Sequence, residues 1–261
     1  MNAKCSIGGY FRFAAMFGLL LTASVAWAGL PETVVKVKKS IVSVGTYQRL
    51  RTPPANFLGT GFVVSKGNHV ITNAHVVPKK LNESRKEIIG VFFRKGEKVE
   101  MRKAELLARD SEHDVALLYI PGTPLPALTL GNAADVAEGR LYGFTGFPIG
   151  MVLGMTPVTH RGIVSAITPI VIPANSVKNL NANNLRRLRD PYKVFQLDAI
   201  AYPGNSGSPL YKTDTGAVIG VVNSVFVKGT KESVLTSPSG ISYAIPVNYI
   251  KDLLRKQGLG F

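Results

Sequence analysis

Val115-Ala116-Leu117-Leu118-Tyr119-Ile120 runs directly into Pro121-Gly122-Thr123-Pro124-Leu125-Pro126. The first six residues are apolar and have the length of one strand. The proline-glycine cluster that follows cannot continue it. Similar short runs, rich in Val, Ile, Phe, Thr and Tyr, lie on both sides of this break. Before it come Ile41–Tyr47, Thr60–Ser65, His69–Thr72 and Ile88–Phe93. After it come Leu141–Thr145, Val158–Ile167, Val194–Leu197, Ala217–Val227 and Ile241–Ile245. Gly, Pro, Asn and Asp separate them, a spacing that predicts an all-β sandwich or barrel rather than alternating strands and long helices. The break divides the chain into similar parts, each able to form a small barrel: residues 29–125 and residues 126–261. Helices are expected in only two places. One is Pro31–Lys39, with Pro and Glu in its first turn. The other is Val247–Gln257, where Tyr249, Ile250, Leu253 and Leu254 recur on one face and Gly258 stands where a cap belongs.

The 261 residues are 46% hydrophobic and 18% charged, which excludes disordered, collagen-like and coiled-coil classes. A single cysteine, Cys5, excludes a disulfide-knit scaffold and a cysteine-rich metal site. It also lies in the first 28 residues, which read as an export address. Lys4 and Arg12 precede the apolar run Phe13–Ala26, and Ala26-Trp27-Ala28 supplies a small-x-small cleavage signal, so cleavage is expected after Ala28. The run of 14 residues falls short of the roughly 20 that span a bilayer, which disfavours a retained anchor. Cleavage would remove the only thiol, so no cysteine nucleophile is available to the exported chain.

Ser206 lies in Pro203-Gly204-Asn205-Ser206-Gly207-Ser208-Pro209-Leu210. Flanking glycines let the backbone turn tightly and leave room for a substrate, and the N–H groups of Gly204 and Ser206 could converge on a developing oxyanion. A serine hydroxyl is a weak nucleophile and needs an imidazole, and the imidazole needs a carboxylate. His75, in Thr72-Asn73-Ala74-His75-Val76-Val77, and Asp114, just before Val115–Ile120, fit those roles. Asp110 competes with Asp114 but does not directly precede the strand. Any one of the three would ordinarily be a turn serine, a core histidine or a strand-end aspartate. Together, in the order His, Asp, Ser, they point to nucleophilic catalysis.

These residues sit in longer blocks. They include Gly59-Thr60-Gly61-Phe62-Val63-Val64, Val70-Ile71-Thr72-Asn73-Ala74-His75-Val76-Val77 and Asp114-Val115-Ala116-Leu117-Leu118. They continue with Val158-Thr159-His160-Arg161-Gly162-Ile163-Val164-Ser165, Asp198-Ala199, Gly204-Asn205-Ser206-Gly207 and Gly240-Ile241-Ser242-Tyr243-Ala244-Ile245-Pro246. Over essentially all of residues 31–257 the sequence resembles the bacterial HtrA/Deg serine proteases, which have the chymotrypsin/trypsin-like fold. The resemblance implies two six-stranded antiparallel β-barrels with a cleft between them, peptide-bond hydrolysis through an acyl-enzyme, polypeptide substrates and homotrimers. It implies no cofactor and no metal. It covers the protease domain, and the PDZ module usual in that family is not expected within these residues.

Ser208 stands where the family has Gly, and Gly-Asn-Ser-Gly-Ser-Pro is similar to secreted glutamyl endopeptidases. Those enzymes carry a histidine in the pocket strand, whereas Gly220-Val221-Val222-Asn223-Ser224 has none, so cleavage after Glu is disfavoured. Counting six back from the nucleophile, as the fold implies, puts Ile200 at the floor of the primary pocket. An apolar floor offers no counter-ion to Lys or Arg and favours small or medium aliphatic residues. Asn223, Ser224 and Val225 are expected to form the edge that pairs with the substrate backbone. His69, His113 and His160 lack metal-ligand spacing. The net charge is +15, with basic runs at Lys79, Lys80, Arg85 and Lys86 and at Lys178, Arg186, Arg187, Arg189 and Lys193. Those runs could draw an anionic surface or an acidic protein partner, though solvated loops account for them as well. No nucleic-acid motif accompanies them. The expected function is that of an exported, periplasmic or secreted serine endopeptidase. The alternatives are a non-catalytic basic binding protein on the same scaffold and a glutamyl-endopeptidase-like enzyme.

Overall fold

The computed structural model describes residues 29–148, 154–170, 191–223 and 240–261. Helix α1 (Leu30–Lys38) is followed by seven strands: β1 (Ile41–Tyr47), β2 (Ala55–Val64), β3 (His69–Thr72), β4 (Ile88–Lys95), β5 (Lys98–Lys103), β6 (Glu105–Asp110) and β7 (Val115–Tyr119). Six more strands and a helix complete the described chain: β8 (Leu141–Gly146), β9 (Val158–Pro169), β10 (Lys193–Asp198), β11 (Pro209–Lys212), β12 (Val218–Asn223), β13 (Ile241–Pro246) and α2 (Val247–Lys256). The expected export address lies outside the described residues.

Strands β8 to β13 close into a six-stranded antiparallel barrel in the order β10-β13-β12-β11-β8-β9. The first half forms a seven-stranded sheet in the order β5-β4-β1-β2-β3-β7-β6. Its two end strands are consecutive in the chain, with only Ala104 between them. The Ala104 N–H still donates to Ile89 O on β4 at 2.9 Å, and the next residue, Glu105, pairs with Tyr119 on β7. The chain therefore turns a corner at the buried Ala104, and the expected six-stranded barrel appears as seven segments because one strand is bent into two.

Period-2 alternation sends the strand residues to two different cores. Val42, Val44, Val63, Val70, Ala116 and Leu118 fill the first barrel. Their neighbours Ile41, Phe62, Ile71, Val115 and Leu117 face outward and join Tyr211, Val221 and Ile245 of the second barrel in a shared core. This double duty is why Val115–Ile120 is apolar throughout. A third set, including Tyr142, Phe144, Phe195, Leu197 and Ile219, fills the second barrel. Each buried side chain of this size contributes about 1.5–3 kcal/mol relative to exposure.

Both helices seal the shared core. Val37 from α1, and Val247, Ile250, Leu253 and Leu254 from α2, lie in it. Gly258, at φ 67°, ends α2 with Leu259 N–H returning to Leu254 O at 3.0 Å, a left-handed cap. Between the barrels the chain is tied first to β2, by Leu128 N–H to Val63 O at 2.9 Å. It is then tied to β12, by Gly131 N–H to Val218 O at 2.8 Å.

Candidate active site

His75 occupies a single 3-10 turn, Ala74–Val76, immediately beyond β3. Val76 is buried under this turn while the His75 side chain keeps 32% of its surface exposed, enough to be reached from solvent. Asp114 ends the turn between β6 and β7 with φ 55°, a left-handed conformation uncommon outside glycine. Its backbone carbonyl accepts the Asn73 amide Nδ2 at 3.0 Å and the Ala74 N–H at 3.1 Å. Its carboxylate then reaches His75 at two points: Oδ1 accepts the backbone N–H at 2.8 Å and Oδ2 the ring Nδ1 at 2.6 Å. A carboxylate in its ionised form can only accept, so this contact suits the imidazole tautomer that carries its proton on Nδ1 and its lone pair on Nε2.

Oδ2 of Asp114 also accepts the side-chain Nδ2 of Asn223, from the end of β12, at 2.6 Å. Asn223 is buried. Its side chain is thus engaged with a carboxylate from the other barrel, a contact that sequence reasoning missed. Ser224 and Val225 lie outside the described residues. Ile200 is half-buried in a segment pinned to β13: Ser242 Oγ donates to Ala199 O at 2.6 Å and accepts Ala201 N–H at 2.8 Å.

Ser206 is buried in a turn closed by Asn205 N–H to Tyr202 O at 2.9 Å and Ser208 N–H to Asn205 O at 3.0 Å. The turn is clamped from both barrels. Thr60 of β2 donates its N–H to Ser206 O at 2.8 Å and its hydroxyl to Gly204 O at 2.7 Å. On the other side Gly207 N–H donates to Val222 O on β12 at 3.0 Å. Gly207 has φ 91°, and a Cβ there would lie 1.9 Å from Thr60 O, so only glycine fits. Gly59 shows how near the histidine turn comes. A Cβ built on it would lie 2.7 Å from the Val76 side chain and 2.9 Å from Ser206 O. The turns bearing His75 and Ser206 therefore meet at the open face of one glycine.

Asp110, the rival carboxylate, is committed elsewhere. Its Oδ2 meets His113 Nδ1 at 2.7 Å, and Oδ1 accepts the N–H groups of Glu112 and His113, each at 3.0 Å. Burial pushes the Asp110 carboxyl up, but these hydrogen bonds and the neighbouring imidazole outweigh it and hold the group below the usual carboxylate range. The His113 ring stacks on Tyr249 of α2 at 3.9 Å and meets Tyr192 edge-on at 4.7 Å. Among the described residues no cluster of three His, Cys, Asp or Glu is placed to hold a metal.

Residues 59–221 match the family described as trypsin-like peptidase domain. The chain belongs to the trypsin-like peptidases. It is 35% identical over 205 residues to a Halomonas elongata protein and 31% identical over 204 residues to one from Pseudomonas fluorescens. Both carry the name "probable periplasmic serine endoprotease DegP-like". The alignments cover 77% and 78% of this chain but 36% and 35% of those proteins, so the chain spans about a third of their length. A solved HtrA-type protease with tripeptide superposes with TM-score 0.61 at 24% identity, covering 88% of this chain and 63% of that one. The fold of this trypsin-like peptidase is thus shared with an HtrA-type enzyme.

Proposed function

We propose that this trypsin-like peptidase is a serine endopeptidase acting on polypeptides outside the cytoplasm. The observation that carries this reading is the two-point bond from the Asp114 carboxylate to His75, at 2.8 and 2.6 Å, beside the turn that holds Ser206. In the proposed reaction His75 Nε2 takes the Ser206 hydroxyl proton as Oγ bonds to the substrate carbonyl carbon. The carbonyl oxygen becomes an oxyanion, with the N–H groups of Gly204 and Ser206 as the proposed donors. The imidazolium, stabilised by Asp114, passes its proton to the leaving amine as the C–N bond breaks and an ester forms on Ser206. Water then attacks the ester carbon, giving a proton to Nε2, and as the C–Oγ bond breaks Nε2 passes that proton to Oγ, restoring the serine and the free imidazole. Asp114 stays ionised throughout.

Ile200, as the pocket floor, is proposed to favour small or medium aliphatic residues before the scissile bond. The address-like first 28 residues and the periplasmic names of the relatives support export, and with it the processing or quality control of extracytoplasmic proteins.

Fluorophosphonate labelling of the chain lacking residues 1–28, with denatured polypeptide present, tests the chemistry. The chain should label, Ser206→Ala should not, and His75→Ala or Asp114→Ala should lower kcat/KM by about 10⁴-fold. A peptide-library profile on the same sample reads the pocket. A wild-type chain that neither labels nor cleaves would sink the proposal, and strong cleavage after Arg would remove Ile200 from the pocket floor.

A further inference from the structure

Arg109, one residue before the end of β6, spends its guanidinium on the backbone around His75. Nη1 donates to Ala74 O at 2.6 Å and to Val77 O at 3.1 Å; Nη2 donates to Val77 O at 3.1 Å and to Pro78 O at 3.2 Å. One planar fork thus holds a carbonyl just before His75 and two just after it. The turn needs such help. It is a single three-residue 3-10 turn whose internal backbone bond is Val76 N–H to Asn73 O at 3.2 Å, and its N-cap side chain contributes no capping bond. Carbonyls at its exit face a chain that continues in extended geometry at Val77, so no next helical turn takes them up. Asn73 has turned its amide to Asp114 instead.

Next along β6, Asp110 fastens the other partner of the pair, through its bonds to the N–H groups of Glu112 and His113 just ahead of Asp114. Two neighbouring residues on one strand end therefore hold the histidine turn and the aspartate turn in common register. Arg109 makes no ion pair with a carboxylate among the described residues. Its fork is committed to geometry rather than to charge pairing.

We propose that Arg109 is a positioning residue for the His75 base, fixing the turn so that the imidazole stays aligned between Asp114 and Ser206. The proposal rests on the serine-peptidase reading above. A lysine cannot replace the fork, because a single ammonium point cannot span three carbonyls in fixed directions.

The test compares the wild-type chain with Arg109→Ala and Arg109→Lys by kcat, KM, fluorophosphonate labelling rate and Tm. A displacement of about 1 Å at a catalytic group costs on the order of a hundredfold in rate. Arg109→Ala should therefore lose about tenfold to a hundredfold in kcat and in labelling rate together, with KM within about threefold. Arg109→Lys should recover only part of the loss, and millimolar methylguanidinium should raise kcat of Arg109→Ala several-fold, about as a restored donor fork would, while leaving wild type unchanged. Wild-type kcat in either folded variant, or a loss carried by KM, overturns the proposal. So does a loss that follows the unfolded fraction without methylguanidinium rescue. If Arg109→Ala does not fold, Arg109→Lys decides alone, and full activity there overturns it. A wild-type chain that does not label defeats the endopeptidase reading, and the positioning role with it.

Discussion

Asn223 Nδ2 donates to the Asp114 oxygen that also holds His75 Nδ1, both at 2.6 Å, so one carboxylate oxygen joins the two barrels at the site. Removing that amide leaves Asp114 freer to rotate away from His75. A hydrogen bond to a charged group is worth about 1.5–3 kcal/mol, so Asn223→Ala should lower kcat by about tenfold or more. Asn223→Asp should be worse than alanine, because a second carboxylate would face the first. Steady-state kinetics on the folded variants check this, and an Asn223→Asp chain with wild-type kcat would remove the amide from the site. His75, Asp114 and Ser206 were legible as candidates because each has a chemical type that the reaction needs and a turn or strand start beside it. Asn223 was not. It ends an ordinary apolar strand, and its partner lies 109 residues away, so no local pattern announces the contact.

Strands β5 and β6 are the elements that sequence patterning passed over. Lys98–Asp110 mixes charges with apolar residues that end up exposed, Val99 at 50%, Leu106 at 39% and Leu107 at 40%, so no alternation marks an inner face. These residues become strand because β4 and β7 offer edges on which to pair. Strands that feed a core on both sides, such as β1, β3 and β7, were legible to within a residue or two, since burial on two faces dictates their composition. The end of β6 also carries a pH-dependent tie. Asp110 has its carboxyl held below the usual value, so its contribution is present above that value and is lost as pH falls through the lower, folded one. Wild type should therefore shed this stability below about pH 4. Asp110→Asn should start with a lower Tm at pH 7 and show a shallower decline between about pH 4 and 2. Thermal melts followed by circular dichroism read both, and parallel acid limbs would contradict the assignment.

Across the whole molecule, the shared core binds the two barrels and both helices, and it could not be read from either half of the sequence. Phe62, Ile71 and Leu117 acquire their purpose only when Tyr211, Val221 and Ile245 arrive from more than ninety residues later in the chain. One barrel wall carries a half-buried titratable group as well. His160 on β9 stacks against Phe144 at 4.9 Å, its Nε2 is buried without a hydrogen-bond partner, and burial holds its pKa below the ordinary imidazole value. His69 on β3 follows the same rule in the first half, with buried Nδ1 unpartnered and its pKa lowered by burial. Both groups are neutral in the fold at neutral pH. As pH falls through about 6.5 the unfolded chain takes up their protons first, so stability is lost on acidification from there, well above the range in which Asp110 acts. His160→Phe keeps an aromatic stack on Phe144 and cannot titrate. Its Tm should fall less than that of wild type between pH 7 and pH 5, and His69→Phe should add a further, separate flattening. Equal Tm slopes for wild type and the double variant over this range would mean that neither imidazole is held neutral by burial.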